Sequence, residues 1–147
     1  MKQILNIIAV AALAAFTTGI AFADAKVKAG PRKGRVLELV EQNAEFLIEK
    51  DRTVSIAFYD AAMKAQPALA QVVTATAEAP TGKTALEFEK KGDLLVSKTP
   101  LPTGEHYTVV VQVKADAEAK PKNFRIPLDL SECGKCHNAE YACICDE

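Results

Sequence analysis

The chain of 147 residues contains no tryptophan, only two histidines and two methionines, and aromatic residues make up 6% of it. Neither sign of charge dominates, because 18 lysines and arginines face 19 aspartates and glutamates. This balance excludes a strongly basic nucleic-acid-binding protein. An apolar fraction of 49% excludes a wholly disordered chain. The sequence also lacks a Ser-His-Asp spacing, a glycine-rich phosphate loop and a carboxylate pair suited to acid–base catalysis, so we expect a protein that is not an enzyme.

The first 23 residues have the pattern of a secretory signal peptide. Lys2 supplies a short basic region, residues 4–16 are apolar except for Asn6, and Ala21-Phe22-Ala23 is a small-x-small cleavage site. Cleavage after Ala23 predicts an exported protein in a bacterial periplasm, with no membrane attachment afterwards. The alternative is an uncleaved anchor, because residues 4–23 could nearly span a bilayer. A periplasmic location permits disulfide bonds.

Residues 24–34 form a basic lead-in to the rest of the chain. The segment combines basic residues with glycine and proline, namely Lys26, Lys28, Gly30, Pro31, Arg32, Lys33 and Gly34. This composition predicts a flexible, solvated arm rather than a dedicated binding segment.

Residues 35–130 alternate apolar and polar side chains with a period of two, which is typical of strands that bury one face. The alternating apolar sets are Val54, Ile56 and Phe58; Val73, Ala75 and Ala77; Leu86 and Phe88; Tyr107, Val109, Val111 and Val113; and Phe124, Ile126, Leu128 and Leu130. Residues 36–41, 44–49 and 94–97 are further candidate strands. Because turn-forming residues separate these segments, we predict an all-β, antiparallel, immunoglobulin-like β-sandwich of about seven to eight strands.

Two prolines refine this prediction. Pro127 lies inside the last predicted strand and cannot donate a ladder hydrogen bond, so that strand should lie at a sheet edge or carry a bulge. Residues 60–70 are rich in alanine and could instead form a helix. Pro67 would limit such a helix to two turns.

The strand pattern resembles a known family. Residues 101–111, LPTGEHYTVVV, look like the penultimate strand of small periplasmic immunoglobulin-like domains of the YtkA-like kind. Phe58-Tyr59-Asp60, followed by a turn and Pro67, is similar to an early strand of the same domains. Such domains accompany heavy-metal efflux and copper-handling systems. The resemblance covers most of residues 35–130 and implies the same fold and a role beside a metal efflux system.

Residues 131–147 form a cysteine-rich tail that contains all four cysteines. Cys133-x-x-Cys136 is followed directly by His137, and after six further residues by Cys143-x-Cys145. Clustered thiolates are ligands for Zn(II) and Cu(I). The short gap between the two pairs is unusual for a zinc ribbon and favours Cu(I) or another thiophilic ion. We therefore predict a metal site made of the four cysteines, with His137 as a possible fifth ligand.

A covalently attached haem c is the first alternative. Cys133-Gly134-Lys135-Cys136-His137 matches the c-type attachment motif, with two thioether cysteines and an axial histidine. Against this alternative, only ten residues follow His137, and two additional cysteines lie beside the motif. The predicted function would then be electron transfer in the periplasm.

Two disulfide bonds are the second alternative. Four cysteines in an exported chain allow three connectivities. Cys143 and Cys145 are poorly placed to bridge each other, so each would pair with Cys133 or Cys136. The tail would then be a covalent staple on a structural or interaction module. The sequence favours the metal site, and with it a non-enzymatic role in metal efflux or homeostasis beside a periplasmic efflux component.

Overall fold

A computed structural model of the chain describes residues 26–145. The predicted signal peptide and the last two residues of the tail lie outside the described residues. Within residues 26–145 the fold is all-β, and no helix is long and apolar enough to cross a membrane. The strands are β1 (Arg35–Glu38), β2 (Asn43–Ile48), β3 (Val54–Tyr59), β4 (Ala65–Gln66), β5 (Val72–Ala79), β6 (Gly82–Lys91), β7 (Leu94–Ser97), β8 (Tyr107–Lys114) and β9 (Lys122–Leu128). A short 3-10 helix, Glu140–Ala142, follows in the tail.

All strand pairs are antiparallel, and the sheet order is β1-β2-β3-β7-β6-β5-β8-β9, with β4 beside β3. The ten-residue strand β6 joins the two halves of the sheet. Its first six residues pair with β5, whereas Phe88 to Lys91 pair with β7. Both halves contribute to one hydrophobic core. The predicted antiparallel β-sandwich class is therefore confirmed, with the two layers continuous through β6.

The core follows from the alternation in the sequence. Along β8, Tyr107, Val109, Val111 and Val113 are buried and the residues between them are more exposed. On the opposite half of the sheet, the largest buried side chains include Phe46, Ile56 and Phe58. Burying a side chain of this size stabilises the folded state by about 1.5–3 kcal/mol. The inward-facing sets along both halves therefore form the main stabilising contact between them.

The predicted strands are all present, with shifted ends. The first strand, β1, ends at Glu38. There the N–H of Leu39 donates to the carbonyl of Gln42 (3.0 Å) and the chain turns. The last runs over Lys122–Leu128 and is the final strand in the sheet order, so the prediction from Pro127 of an edge position is confirmed.

The alternative helix at residues 60–70 does not form. The exposed two-residue strand β4 lies there instead, too short to leave an alternation in the sequence.

The described part of the basic lead-in contacts the sheet through a buried carboxylate. Glu45 is 0% exposed, although it lies on the face of β2 opposite Phe46. Its Oε1 accepts from the backbone N–H groups of Arg32 (2.9 Å) and Gly34 (2.7 Å), and its Oε2 accepts from the hydroxyl of Tyr59 (2.6 Å). Burial and this hydrogen bond raise the pKa of Tyr59. The lead-in thus covers an outer face that the alternation alone would leave in water.

Because the lead-in lies close to β2, a methyl group added at Gly34 should destabilise the folded state. A Cβ at Gly34 would lie 2.5 Å from the carbonyl oxygen of Phe46, whereas a Cβ at Gly134 would meet nothing within 4 Å. We expect Gly34→Ala to lower the free energy of unfolding by about 1–3 kcal/mol through overpacking. The matched control, Gly134→Ala, should change it by less than about 0.5 kcal/mol. Urea denaturation of the reduced proteins measures both, and equal stability of the two variants would contradict the described packing.

Candidate metal centre

The four cysteines of the tail converge on one point. Their Sγ atoms all lie within 4.8 Å of one another, and we call this group, Cys133, Cys136, Cys143 and Cys145, the cysteine cluster. All four side chains are free thiols. The sulfur–sulfur distances are 3.8 Å for Cys133 and Cys145, 3.7 Å for Cys136 and Cys143, and 3.1 Å for Cys133 and Cys143. The sequence prediction that these residues form one group is borne out by their positions.

The first cysteine pair is set by a tight turn. The N–H of His137 donates to the carbonyl of Cys133 (2.9 Å), and the N–H of Cys133 donates to the carbonyl of Asn138 (2.8 Å). Glu132 and Ala139 then form an isolated antiparallel bridge. These contacts fold residues 132–139 into a closed loop, and the sulfurs of Cys133 and Cys136 lie within 4.8 Å of each other.

The second pair returns to the first through the 3-10 helix. The N–H of Ala142 donates to the carbonyl of Ala139 (2.8 Å), and that of Cys143 donates to the carbonyl of Glu140 (3.1 Å). This single turn reverses the chain within the six residues between Cys136 and Cys143. In the sequence, the short gap between the two cysteine pairs is unusual for a zinc ribbon. In the structure, this gap does not keep the four sulfurs apart.

His137 lies outside the cysteine cluster. Its Nδ1 is 2.7 Å from Oε1 of Glu132, and its side chain is 71% exposed. Its backbone has φ 57°, a left-handed conformation in which non-glycine residues are uncommon. The position of His137 in the sequence therefore reflects the turn after Cys136, and the structure does not bring its ring to the four sulfurs.

The spacing of the sulfurs fits a tetrahedral ion. Four thiolates at the usual zinc–sulfur distance of about 2.3 Å occupy the corners of a tetrahedron with edges of about 3.8 Å. Two of the three sulfur pairs given above match this edge, and the pair of Cys133 and Cys143 is shorter by less than 1 Å. The remaining three pairs lie within 4.8 Å. The donor set and its geometry thus fit a single four-coordinate ion.

Backbone N–H groups favour a negative charge within the cluster. The N–H groups of Ile144 and Asn138 donate to the sulfur of Cys136 and lower the pKa of its thiol to about 6. The thiol of Cys143 donates to the sulfur of Cys133, which raises the pKa of Cys143, and burial raises that of Cys145. Thiolate is the form that binds a metal. Without an ion, Cys136 therefore ionises more readily than Cys143 or Cys145.

One residue that the sequence analysis passed over fixes the tail to the sandwich. Tyr141 is 4% exposed, and its ring meets that of Phe46 edge-on, with centroids 5.9 Å apart at 86°. Its N–H donates to the carbonyl of Asp129 (3.1 Å). The next residue, Ala142, is fully buried. A pair of apolar residues between two cysteine motifs was the only sequence signal of this anchor.

The members of the cysteine cluster differ in exposure. Cys133 is 6% exposed, whereas the other three cysteines are partly exposed. Ile144, between the last two cysteines, is 47% exposed. An ion can therefore reach the sulfurs without unfolding of the tail.

The acidity of Cys136 predicts the order in which the thiols react. In the reduced, metal-free protein at about pH 7, Cys136 should be alkylated first by iodoacetamide, because its thiol is mostly ionised there. Its rate should fall as the pH decreases through about 6, while Cys143 stays slow. Peptide mass spectrometry after short labelling times gives the order. Faster labelling of Cys143 or Cys145 would contradict the described hydrogen bonds.

Comparisons with known proteins give no information about this site. No protein-family model, no curated protein and no solved structure matches the chain. The function is therefore argued from the residues of the site. Four thiols, positioned by one turn and one 3-10 helix on the end of an antiparallel β-sandwich, can hold a metal ion.

Proposed function

We propose that this protein is an exported, non-enzymatic metal-binding protein that holds one thiophilic ion in the cysteine cluster. The observation that carries the proposal is the convergence of four Sγ atoms within 4.8 Å. Without an ion only part of the cysteine cluster can ionise, because neighbouring thiolates repel one another. A bound cation removes this repulsion and supplies four bonds.

The tetrahedral spacing favours Zn(II) over Cu(I). Four-coordinate thiolate sites are typical of Zn(II) and of iron, whereas Cu(I) is also satisfied by two or three thiolates. All four sulfurs are within reach of one ion, which supports Zn(II) beside the Cu(I) that the short gap in the sequence favours. We take Zn(II) as the ion, with Cu(I) and iron as the alternatives that a direct measurement separates.

The sequence supplies the setting of the proposal. The signal-peptide pattern of residues 1–23 supports a periplasmic location, and the resemblance to YtkA-like domains supports a role beside a metal efflux system. The partial exposure of three cysteines supports exchange of the ion with a partner rather than permanent burial. On these grounds we place the protein in metal efflux or homeostasis, with a periplasmic efflux component as its partner.

The geometry gives less support to a covalently attached haem than to the metal site, and the disulfide alternative differs from the metal site in the oxidation state of the cysteines. A haem c would need the ring of His137 on the iron, but that ring lies against Glu132 and outside the cluster. It would also need Cys133 and Cys136 to face the haem, but their sulfurs face those of Cys143 and Cys145. Two disulfides would need a two-electron oxidation of each cysteine pair, and the oxidised cysteines would not bind an ion. Each alternative gives a distinct mass and is tested by the same experiment.

Native mass spectrometry of the full chain expressed with its export signal tests the proposal. We expect one Zn(II) per chain in the reduced protein, lost in Cys133→Ser/Cys136→Ser because two of four ligands are missing. His137→Ala is the matched control and should retain the ion, since His137 lies outside the cluster. Replacement of zinc by Co(II) should give the absorption of a tetrahedral thiolate site.

Three results would contradict the proposal. A haem mass that survives denaturation would identify a cytochrome, and its loss in His137→Ala would support that function instead. Two disulfides with no ion uptake after gentle reduction would identify a structural staple. Loss of the ion in His137→Ala would show that the ligand set is wrong.

A further inference from the structure

Tyr141 lies at the place where the sheet is left open. The strands β1 and β9 are the first and last in the sheet order, and we call the gap between them the seam. The 3-10 helix that carries Tyr141 contacts both β1 and β9. Its ring packs on Phe46, and both Tyr141 and Ala142 belong to the hydrophobic core. The tail therefore completes the core at the seam.

The hydroxyl of Tyr141 takes the place of a missing strand. The partner strand β1 pairs with β2 only as far as Phe46, so the N–H of Ile48 lies beyond its end. That N–H donates to the hydroxyl oxygen of Tyr141 (3.1 Å). A buried or half-buried backbone N–H without a partner destabilises the folded state. One side chain of the tail thus supplies both an apolar contact and a hydrogen bond to the sandwich.

The same side chain lies inside the loop that an ion would close. Tyr141 follows Cys136 by five residues and precedes Cys143 by two, so it lies between the two cysteine pairs. Its backbone is held by Asp129, and the backbone of Glu140 by Ser131, which are the residues that lead from β9 into the tail. Fixing Cys143 and Cys145 against Cys133 and Cys136 therefore fixes Tyr141, and the reverse is also true.

We propose that Tyr141 is a positioning residue for the metal centre, and that docking of its ring in the seam and binding of an ion by the cysteine cluster are coupled. This inference rests on the proposed function. Coupling of two binding events is reciprocal, so the factor by which the ion favours docking equals the factor by which docking favours the ion. A side chain that touches none of the sulfurs then sets the affinity for the metal.

Amide hydrogen exchange of the wild-type protein tests the coupling without any substitution. With Zn(II) bound, the amide of Ile48 should exchange at least about tenfold more slowly than in the metal-free reduced protein, because undocking of Tyr141 exposes it to water. The amide of Val111, in the centre of β8, should remain protected in both states. This comparison separates local undocking of the tail from unfolding of the sandwich.

A matched pair of variants tests the effect on affinity. Tyr141→Leu removes the ring contact and the hydroxyl. Phe58→Leu removes another buried ring, at the end of β3 that lies away from Ile48. We expect Tyr141→Leu to weaken Zn(II) binding roughly tenfold or more in competition with a chelator, because docking and ion binding favour each other by the same factor. Phe58→Leu should leave the Kd within about twofold, because Phe58 pairs with Ala44, at the end of β2 away from Ile48. Circular dichroism confirms the fold of both variants.

The outcomes separate this inference from the proposed function. Normal Zn(II) uptake by the wild type, together with metal-independent exchange of Ile48, overturns the coupling and leaves the metal site intact. Unchanged Zn(II) affinity in Tyr141→Leu also overturns the coupling and leaves the metal site intact. Equal weakening in both variants assigns Tyr141 a merely structural role and also overturns it. Absence of ion uptake by the wild type overturns both proposals. If Tyr141→Leu does not fold, the exchange rates of the wild type decide alone.

Discussion

The convergence of four sulfur atoms is the interaction on which the account of this molecule depends. The four sulfurs lie within 4.8 Å of one another, and backbone N–H groups lower the pKa of Cys136. Further ionisation without a cation brings like charges together. An ion with a tetrahedral preference satisfies all four sulfurs at once, and the edges of 3.7 and 3.8 Å are those that such an ion needs.

The sandwich contributes the platform that makes this arrangement possible. Strand β9 delivers the chain to Asp129, where hydrogen bonds of Asp129 and Ser131 to residues 140 and 141 turn the tail back on itself. Tyr141 then enters the core beside Phe46 and gives the tail a fixed point. A mobile tail would lose more conformational entropy when it binds an ion, so anchoring it in advance favours binding. Core, seam and cysteine cluster thus form one connected unit at one end of the fold.

The fold could be predicted from the sequence because strand alternation is a local property. Val109, Val111 and Val113 face the core as their spacing requires, and Pro127 marks an edge strand because it lacks an N–H. Glu45 breaks the alternation, and its burial depends on a lead-in that composition alone describes as solvated. The four cysteines were visible as a group in the sequence, but their convergence depends on a three-residue 3-10 helix. The role of Tyr141 depends on a contact across 95 residues of sequence, from Phe46 to Tyr141, which no local pattern records.

X-ray absorption at the metal edge of the isolated protein tests the central claim most directly, because it counts the atoms bound to the ion. The account predicts a zinc edge with a single shell of four sulfur atoms at about 2.3 Å. A shell of nitrogen or oxygen atoms, or a sulfur count of three or fewer, would contradict it, since at least one of the four cysteines would then not be a ligand.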